Sequence, residues 1–268
     1  MDCRDRPEDN YLLATLTTAE FDRLLPNLEL VTLELGQVMA ESGQKISHAY
    51  FPTTAIISMM YMMENGDSAE IAVVGRDGVV GISLFLGGGK ATSKTVVQNA
   101  GKAYRLSSRH LAAEFDLHGA MMRTLLRYTQ ALVAQMAQTA VCNLHHRLEQ
   151  QLCRWLLVRV DLVPADALTV THELIGNMLG VRREGVTGEA SKLQVAGFIR
   201  YKRGLVQVVD RAGLERLVCE CFGVMREEYE RLLPRTVHDM HKPQHESDSN
   251  SATHCKTSEI QPLRCALD

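Results

Sequence analysis

Apolar and polar positions follow three successive rhythms along the chain. From residue 28 to residue 106, short β-rich runs cover 28–35, 49–51, 56–63, 69–74, 95–99 and 103–106. Turn-forming groups separate them: Leu35-Gly36-Gln37, Glu41-Ser42-Gly43, Gly75-Arg76-Asp77-Gly78 and Gly87-Gly88-Gly89. Asn65-Gly66, between two such runs, is a hairpin signal. Many short strands at regular spacing predict a closed or sandwich-like β unit. A short helix precedes it, started by Thr17-Thr18-Ala19-Glu20 and carrying Phe21, Leu24 and Leu25.

From residue 108 to residue 143 the period becomes helical. Met121, Leu125, Tyr128, Leu132, Gln135, Thr139 and Cys142 form one stripe; Met122, Leu126, Thr129, Val133, Met136 and Ala140 form a parallel one. A helix with two neighbouring apolar seams can cover its own β unit and also meet a partner helix. A second helix is predicted over 146–160, containing Trp155, Leu156 and Leu157, and Pro164-Ala165-Asp166 marks a loop.

The third rhythm runs over 166–239. Thr171 is placed to cap a short helix whose apolar face is Leu174, Ile175, Met178 and Leu179. Gly180 permits a left-handed residue at its end, and Val181 packs in the turn. A second helix begins near Arg182-Arg183, with Val186, Ala190 and Leu193 turned inward. That leaves Arg182, Arg183, Glu184, Thr187, Gly188, Ser191 and Lys192 facing solvent or a partner. A hairpin follows: Phe198 to Tyr201, a turn at Lys202-Arg203-Gly204, then 205–209. The predicted order is helix, glycine turn, helix, basic wing. This is the layout that places a recognition helix in a DNA major groove, where Arg pairs with guanine and Glu accepts from cytosine.

Charge sharpens this reading. The chain of 268 residues has 29 Lys+Arg against 32 Asp+Glu, a net charge of −3, which at first counts against nucleic acid. Residues 182–203, however, hold six Lys/Arg against two Glu, while residues 1–81 hold five Lys/Arg against thirteen Asp/Glu. An acidic β unit therefore masks a basic segment on the motif suited to meet a duplex. Hydrophobic content of 46% and charged content of 23% predict a globular chain. No apolar stretch is long enough to span a bilayer, and the polar, acidic start MDCRDRPEDN is unlike a secretory signal, so a cytoplasmic protein without membrane contact is expected. The tail from His241 lacks periodicity and is expected to be disordered.

The seven cysteines, Cys3, Cys142, Cys153, Cys219, Cys221, Cys255 and Cys265, include no CxxC pair. Were Cys219 and Cys221 both helical, they would lie about 200° apart and could not chelate one ion. Adjacent His145 and His146 would likewise diverge. No metal site, cofactor or catalytic residue is expected, and the chain is not expected to be an enzyme.

A β-rich N-terminal unit, a long apolar helix and a winged helix–turn–helix together resemble the Crp/Fnr family of bacterial transcription regulators over roughly residues 12–233. Glu173-Leu174-Ile175-Gly176, Leu179-Gly180, Arg183-Glu184 and Val186 carry the resemblance in the helix–turn–helix; Gly36, Gly43, Tyr50-Phe51, Gly78 and Gly81 carry it in the β-roll. The resemblance implies an α+β fold. A jelly-roll-like β-roll sensor would occupy 12–107, a dimerisation helix 108–145, a winged helix–turn–helix 146–239 and a tail 240–268. It implies a homodimer on double-stranded DNA, with RNA polymerase as a further partner. Its dimer helix would use Met121, Leu125, Tyr128, Leu132, Gln135 and Thr139. Arg182, Arg183, Glu184, Thr187 and Gly188 would face bases; Thr171, Ser191, Lys192, Lys202 and Arg203 would face phosphates.

The sequence departs from the family in two places. Cyclic-nucleotide binders use a Glu for the ribose and an Arg for the phosphate. Here Val79 stands at the acidic position and Ala91-Thr92-Ser93 near the Arg. The effector pocket candidates are Gly78, Val79, Gly81, Ser83, Thr92 and Ser93. Lys90 and Lys94 flank the place without an Arg's bidentate fork, so cyclic AMP is not expected to bind in the usual way. Gly188 stands where many members carry a base-reading Arg. A redox- or haem-responsive regulator is the nearest alternative; a cupin-like metal enzyme and a protein-interaction module are more distant ones. Iron–sulfur sensing would need an N-terminal cysteine cluster, and only Cys3 is there.

Overall fold

The computed structural model describes residues 6–163 and 167–233. The predicted loop at Pro164-Ala165-Asp166, the tail from His241, and Cys3, Cys255 and Cys265 lie outside these residues. Two short helices, α1 (Tyr11–Ala14) and α2 (Thr18–Leu24), lead into the β unit. Thr17 caps α2 as its sequence predicts: its hydroxyl accepts from the Glu20 backbone, and the Glu20 carboxylate reaches back to the Thr17 N–H.

Seven strands follow: β1 (Glu29–Leu33), β2 (Val38–Ala40), β3 (His48–Pro52), β4 (Ile56–Met62), β5 (Ser68–Val74), β6 (Lys94–Asn99) and β7 (Gly101–Ser107). They form two antiparallel sheets, ordered β1-β7-β3 and β2-β6-β4-β5. The β4–β5 hairpin turns at Asn65-Gly66, as its sequence predicts, with Gly66 at φ 91°. Ala49, Phe51, Val79, Tyr104 and Leu106 fill the roll between these sheets and the helices beside them.

The helical stretch after the roll is broken. Helix α3 (Ser108–Phe115) ends at a turn where His118 takes a positive φ of 55°, and α4 (Ala120–His145) starts anew. The dimer-helix residues expected from the sequence are corrected here. Met121, Leu125, Tyr128, Leu132, Gln135 and Thr139 are all buried in the chain's own core. Met121, Leu125, Tyr128 and Leu132 pack against the roll, and Gln135 accepts a hydrogen bond from the Val73 backbone of β5. Apolar periodicity finds such a stripe without saying which body covers it. The parallel stripe is the exposed one: Leu126 is 44% exposed and Val133 52% exposed, and Leu144 beyond it is 77% exposed.

Helix α5 (Leu148–Leu162) is buried nearly throughout and joins the two halves of the described chain. Trp155, Leu156, Val160 and their neighbours pack with Ile56, Met60 and Val73 of the roll on one side and with Ile175, Val186 and Leu193 on the other. A buried ion pair crosses the same junction. Arg159 of α5 donates to both carboxylate oxygens of Glu70 on β5, at 2.6 and 2.5 Å. Gln98 of β6 accepts from Arg159 Nε at 3.0 Å, and Ser58 of β4 bonds both Gln98 and Glu70. The guanidinium also lies 3.6 Å over the Trp155 ring. Burial draws the Arg159 pKa below its ordinary value, against the pull of Glu70.

The remaining elements are β8 (Ala167–Thr169), α6 (His172–Leu179), α7 (Arg183–Val195), β9 (Ile199–Lys202), β10 (Leu205–Val208), α8 (Arg211–Leu217) and α9 (Glu220–Leu232). The wing is a three-stranded antiparallel sheet, β8-β10-β9, and not the simple hairpin that the sequence predicts. Helix α9 returns to pack along α4. The expectation for Cys219 and Cys221 is also corrected. Cys219 is the extended cap residue before α9 (ψ 164°), so helical geometry does not separate the two thiols. Among the described residues, Cys142, His146, Cys219 and Cys221 converge.

Candidate nucleic-acid interface

The helix–turn–helix is built by local sequence. Thr171 precedes α6 in extended conformation and its hydroxyl accepts from the Leu174 N–H at 3.1 Å. Gly180 ends the helix at φ 67°, a left-handed conformation that suits glycine. Gly176 allows the turn to cross the helix closely; a Cβ there would stand 2.8 Å from the Val181 carbonyl oxygen. Val186, Ala190 and Leu193 are buried, as their spacing predicts, which fixes the opposite face of α7 outward.

On that outward face Arg183, Glu184, Thr187, Gly188, Ser191 and Lys192 are all exposed, at helical spacings of three and four. Arg182 is the extended cap residue before α7 and is exposed too. Among the described residues, no ion pair engages Arg182, Arg183 or Glu184. Their hydrogen-bonding capacity is therefore open to a partner at the N-terminal end of α7. Lys192 is held by Glu189 at 2.9 Å, and an exposed bridge of this kind yields readily to a phosphate. The Thr187 and Ser191 hydroxyls donate back to the carbonyls of Arg183 and Thr187. Gly188 faces open space.

The wing stands beside this face. Its turn consists of Arg203 (φ 51°) and Gly204 (φ 80°), the two positive φ values of the tight turn that matches strand twist. Arg200, Lys202 and Arg203 are exposed on it and make no ion pair among the described residues. His172 was missed from sequence. Its Nδ1 lies 3.0 Å from Thr187 Oγ1, and its ring stacks on Tyr201 at 4.2 Å, so one side chain ties α6 to α7 and to the wing. Burial, then the Arg183 charge, push its pKa below the ordinary histidine value. Only the resulting three-way contact identifies it; no local signal does.

In the roll, Val79, Gly81, Ser83, Thr92 and Ser93 line one small cavity of about 40 Å³ with Tyr50, Met59 and Thr95. Gly78 does not line it. It lies beneath Tyr128, where a Cβ would stand 2.6 Å from the phenolic oxygen, so its part is to seat α4 on the roll. No basic residue lines the cavity, and Lys94 pairs with Glu41 at 2.9 Å.

Residues 150–217 match the family described as the Crp-like helix-turn-helix domain. That match falls on the helices and wing just described. Over that stretch the chain is similar to Crp-like helix–turn–helix domains. The fold is similar to several solved structures. FixK2 from Bradyrhizobium japonicum shares 16% identity at a TM-score of 0.59, covering 72% of this chain and 98% of that one. A CRP/FNR-family transcriptional regulator from Thermus thermophilus shares 20% at 0.56, covering 70% and 97%. The c-di-GMP responsive global regulator CLP from Xanthomonas campestris shares 14% at 0.53, covering 72% and 99%. Among curated proteins no sequence matches. The fold is thus similar to that of these structures. Among the described residues no helix is long and apolar enough to cross a membrane.

Proposed function

We propose that this Crp/Fnr-type chain is a sequence-specific transcriptional regulator that binds double-stranded DNA as a homodimer in the cytoplasm, and whose β-roll answers to a signal other than a conventionally bound cyclic nucleotide. The observation that carries the reading is the N-terminal turn of α7. Arg182, Arg183 and Glu184 are exposed there beside a basic wing, on a helix locked by the buried Val186, Ala190 and Leu193. Arg183 and Glu184 read base edges, with Arg182 beside them. Thr171, Ser191, Lys192, Lys202 and Arg203 set the register on phosphates. Because Gly188 offers no side chain, base reading concentrates at the start of the helix.

Lys202→Ala tests the phosphate assignment. It is expected to weaken binding to all duplexes alike and to flatten the salt slope by about one unit. A sequence-dependent loss measured by fluorescence anisotropy would contradict it.

The dimer seam is the exposed stripe of α4, with Leu126 and Val133 along it and Leu144 at its end. Val133→Glu places a charge in that seam while leaving the chain's own core untouched. The variant is expected to elute as a monomer with unchanged circular dichroism and to lose binding to two-half-site duplexes. A variant that remains a dimer by light scattering would remove α4 from the interface.

A further inference from the structure

The long helix ends in a group of donor atoms that the DNA-binding reading leaves unused. Cys142 lies in the last turn of α4 and His146 caps that helix. Cys219 caps the start of α9, and Cys221 lies in its first turn. One donor atom from each of the four lies within 4.8 Å of every other. The three thiols are 0%, 3% and 1% exposed, in chain order, and form a sulfur cluster of their own.

The distances decide what the cluster fits. A disulfide requires about 2.05 Å between sulfurs. Cys142 Sγ stands 3.6 Å from Cys219 Sγ, and Cys221 Sγ 3.6 Å from His146 Nδ1. An ion held tetrahedrally at ~2.3 Å from sulfur and ~2.0 Å from nitrogen sets S···S edges of about 3.8 Å and S···N edges of about 3.5 Å. The measured separations lie close to those edges.

Two neighbouring groups point the same way. His146 Nε2, the nitrogen turned away from the thiols, lies 3.3 Å from a carboxylate oxygen of Glu220. That pairing fixes a tautomer and frees Nδ1 as a ligand. Arg154 lies against Cys142 and donates to Thr139 at 3.3 Å, yet it is 6% exposed, makes no ion pair among the described residues, and its Nε lacks a partner. Three thiolates around a divalent cation carry a net charge of −1, which would give this buried guanidinium the counter-charge it lacks.

We propose that Cys142, His146, Cys219 and Cys221 bind one zinc ion in a closed, four-coordinate site that clamps the end of α4 to the start of α9. Zinc suits mixed thiolate and imidazole ligands in tetrahedral array. Each thiol releases its proton on binding. Gln151 reinforces the clamp by donating to the carbonyls of Cys142, Asn143 and His146, which holds the helix end in place. The site thereby fixes the angle at which the long helix hands over to the C-terminal half.

The test uses the full-length chain without a histidine tag, purified under reducing conditions and without chelator. Elemental analysis is expected to find one zinc per chain. After zinc removal, titration with Co²⁺ alone is expected to give one equivalent with thiolate charge-transfer and tetrahedral ligand-field bands, which added zinc abolishes. The combined Cys142→Ser, Cys219→Ser and Cys221→Ser variant should lose those bands. Glu220→Gln, at an exposed side chain that leaves packing intact, should lower Co²⁺ affinity by about 10- to 100-fold. A folded wild-type chain with no stoichiometric metal and no such bands would overturn the proposal. So would bands that survive the triple substitution, a stoichiometric metal other than zinc, or a Cys142–Cys219 disulfide in the reduced preparation.

Discussion

Glu70→Ala is expected to destabilise the chain by about 3–5 kcal/mol, the cost of leaving one member of a buried pair uncompensated. Arg159 is 2% exposed, so its guanidinium depends on that carboxylate for its counter-charge. Gln98 and the Trp155 ring remain as partners, but neither carries a compensating charge. The loss should also fall on Ser58, which donates to the same carboxylate. The pair joins β5 to α5, so the variant should loosen the junction between roll and C-terminal half before the roll itself melts. Replacing both partners with apolar residues of similar size is expected to recover most of the loss, because desolvation then costs nothing. Denaturant unfolding of the two variants checks this. A Glu70→Ala cost below about 1 kcal/mol would show that the pair is not the junction's electrostatic anchor.

Arg183→Ala carries the second large effect, and it acts on binding with little effect on stability. Arg183 opens α7, is exposed, and makes no ion pair among the described residues. Its removal is expected to cost about 1–3 kcal/mol on a preferred duplex, roughly 5- to 150-fold in Kd, with unrelated duplexes little affected. Lys202→Ala should do the reverse, weakening both alike. Competition binding at two salt concentrations separates the cases. Equal loss on preferred and unrelated DNA would make Arg183 a phosphate contact and move base reading elsewhere on α7.

The features legible in the sequence are those set by local chemistry. The Thr17 and Thr171 caps, the left-handed Gly180, the Asn65-Gly66 hairpin and the inward row Val186, Ala190 and Leu193 each follow from a few adjacent residues. Strand β2 leaves no sequence signal because it is three residues long with a register shift, and β8 because it is equally short. The break between α3 and α4 is marked only by Gly119 and by a positive φ at His118, inside a run otherwise compatible with helix.

Long-range packing settled the rest. Two apolar stripes on α4 are equivalent by period, and only the position of the roll and α9 buries Met121 and Leu125 while leaving Leu126 and Val133 outside. Cys142 and Cys219 are 77 residues apart, and their thiols meet because α9 folds back along α4. The candidate DNA contacts were readable because one helix and one turn carry most of them. His172 was not, since its role exists only once α6, α7 and the wing are assembled.

The central claim is that two copies of this chain present their α7 helices to one duplex. Selection of bound sequences from a random duplex pool by the full-length protein tests it most directly. The expected result is a two-fold symmetric motif whose half-sites are centred about one helical turn apart, ~34 Å. A pool that shows no enrichment, or a motif with a single half-site, would contradict it.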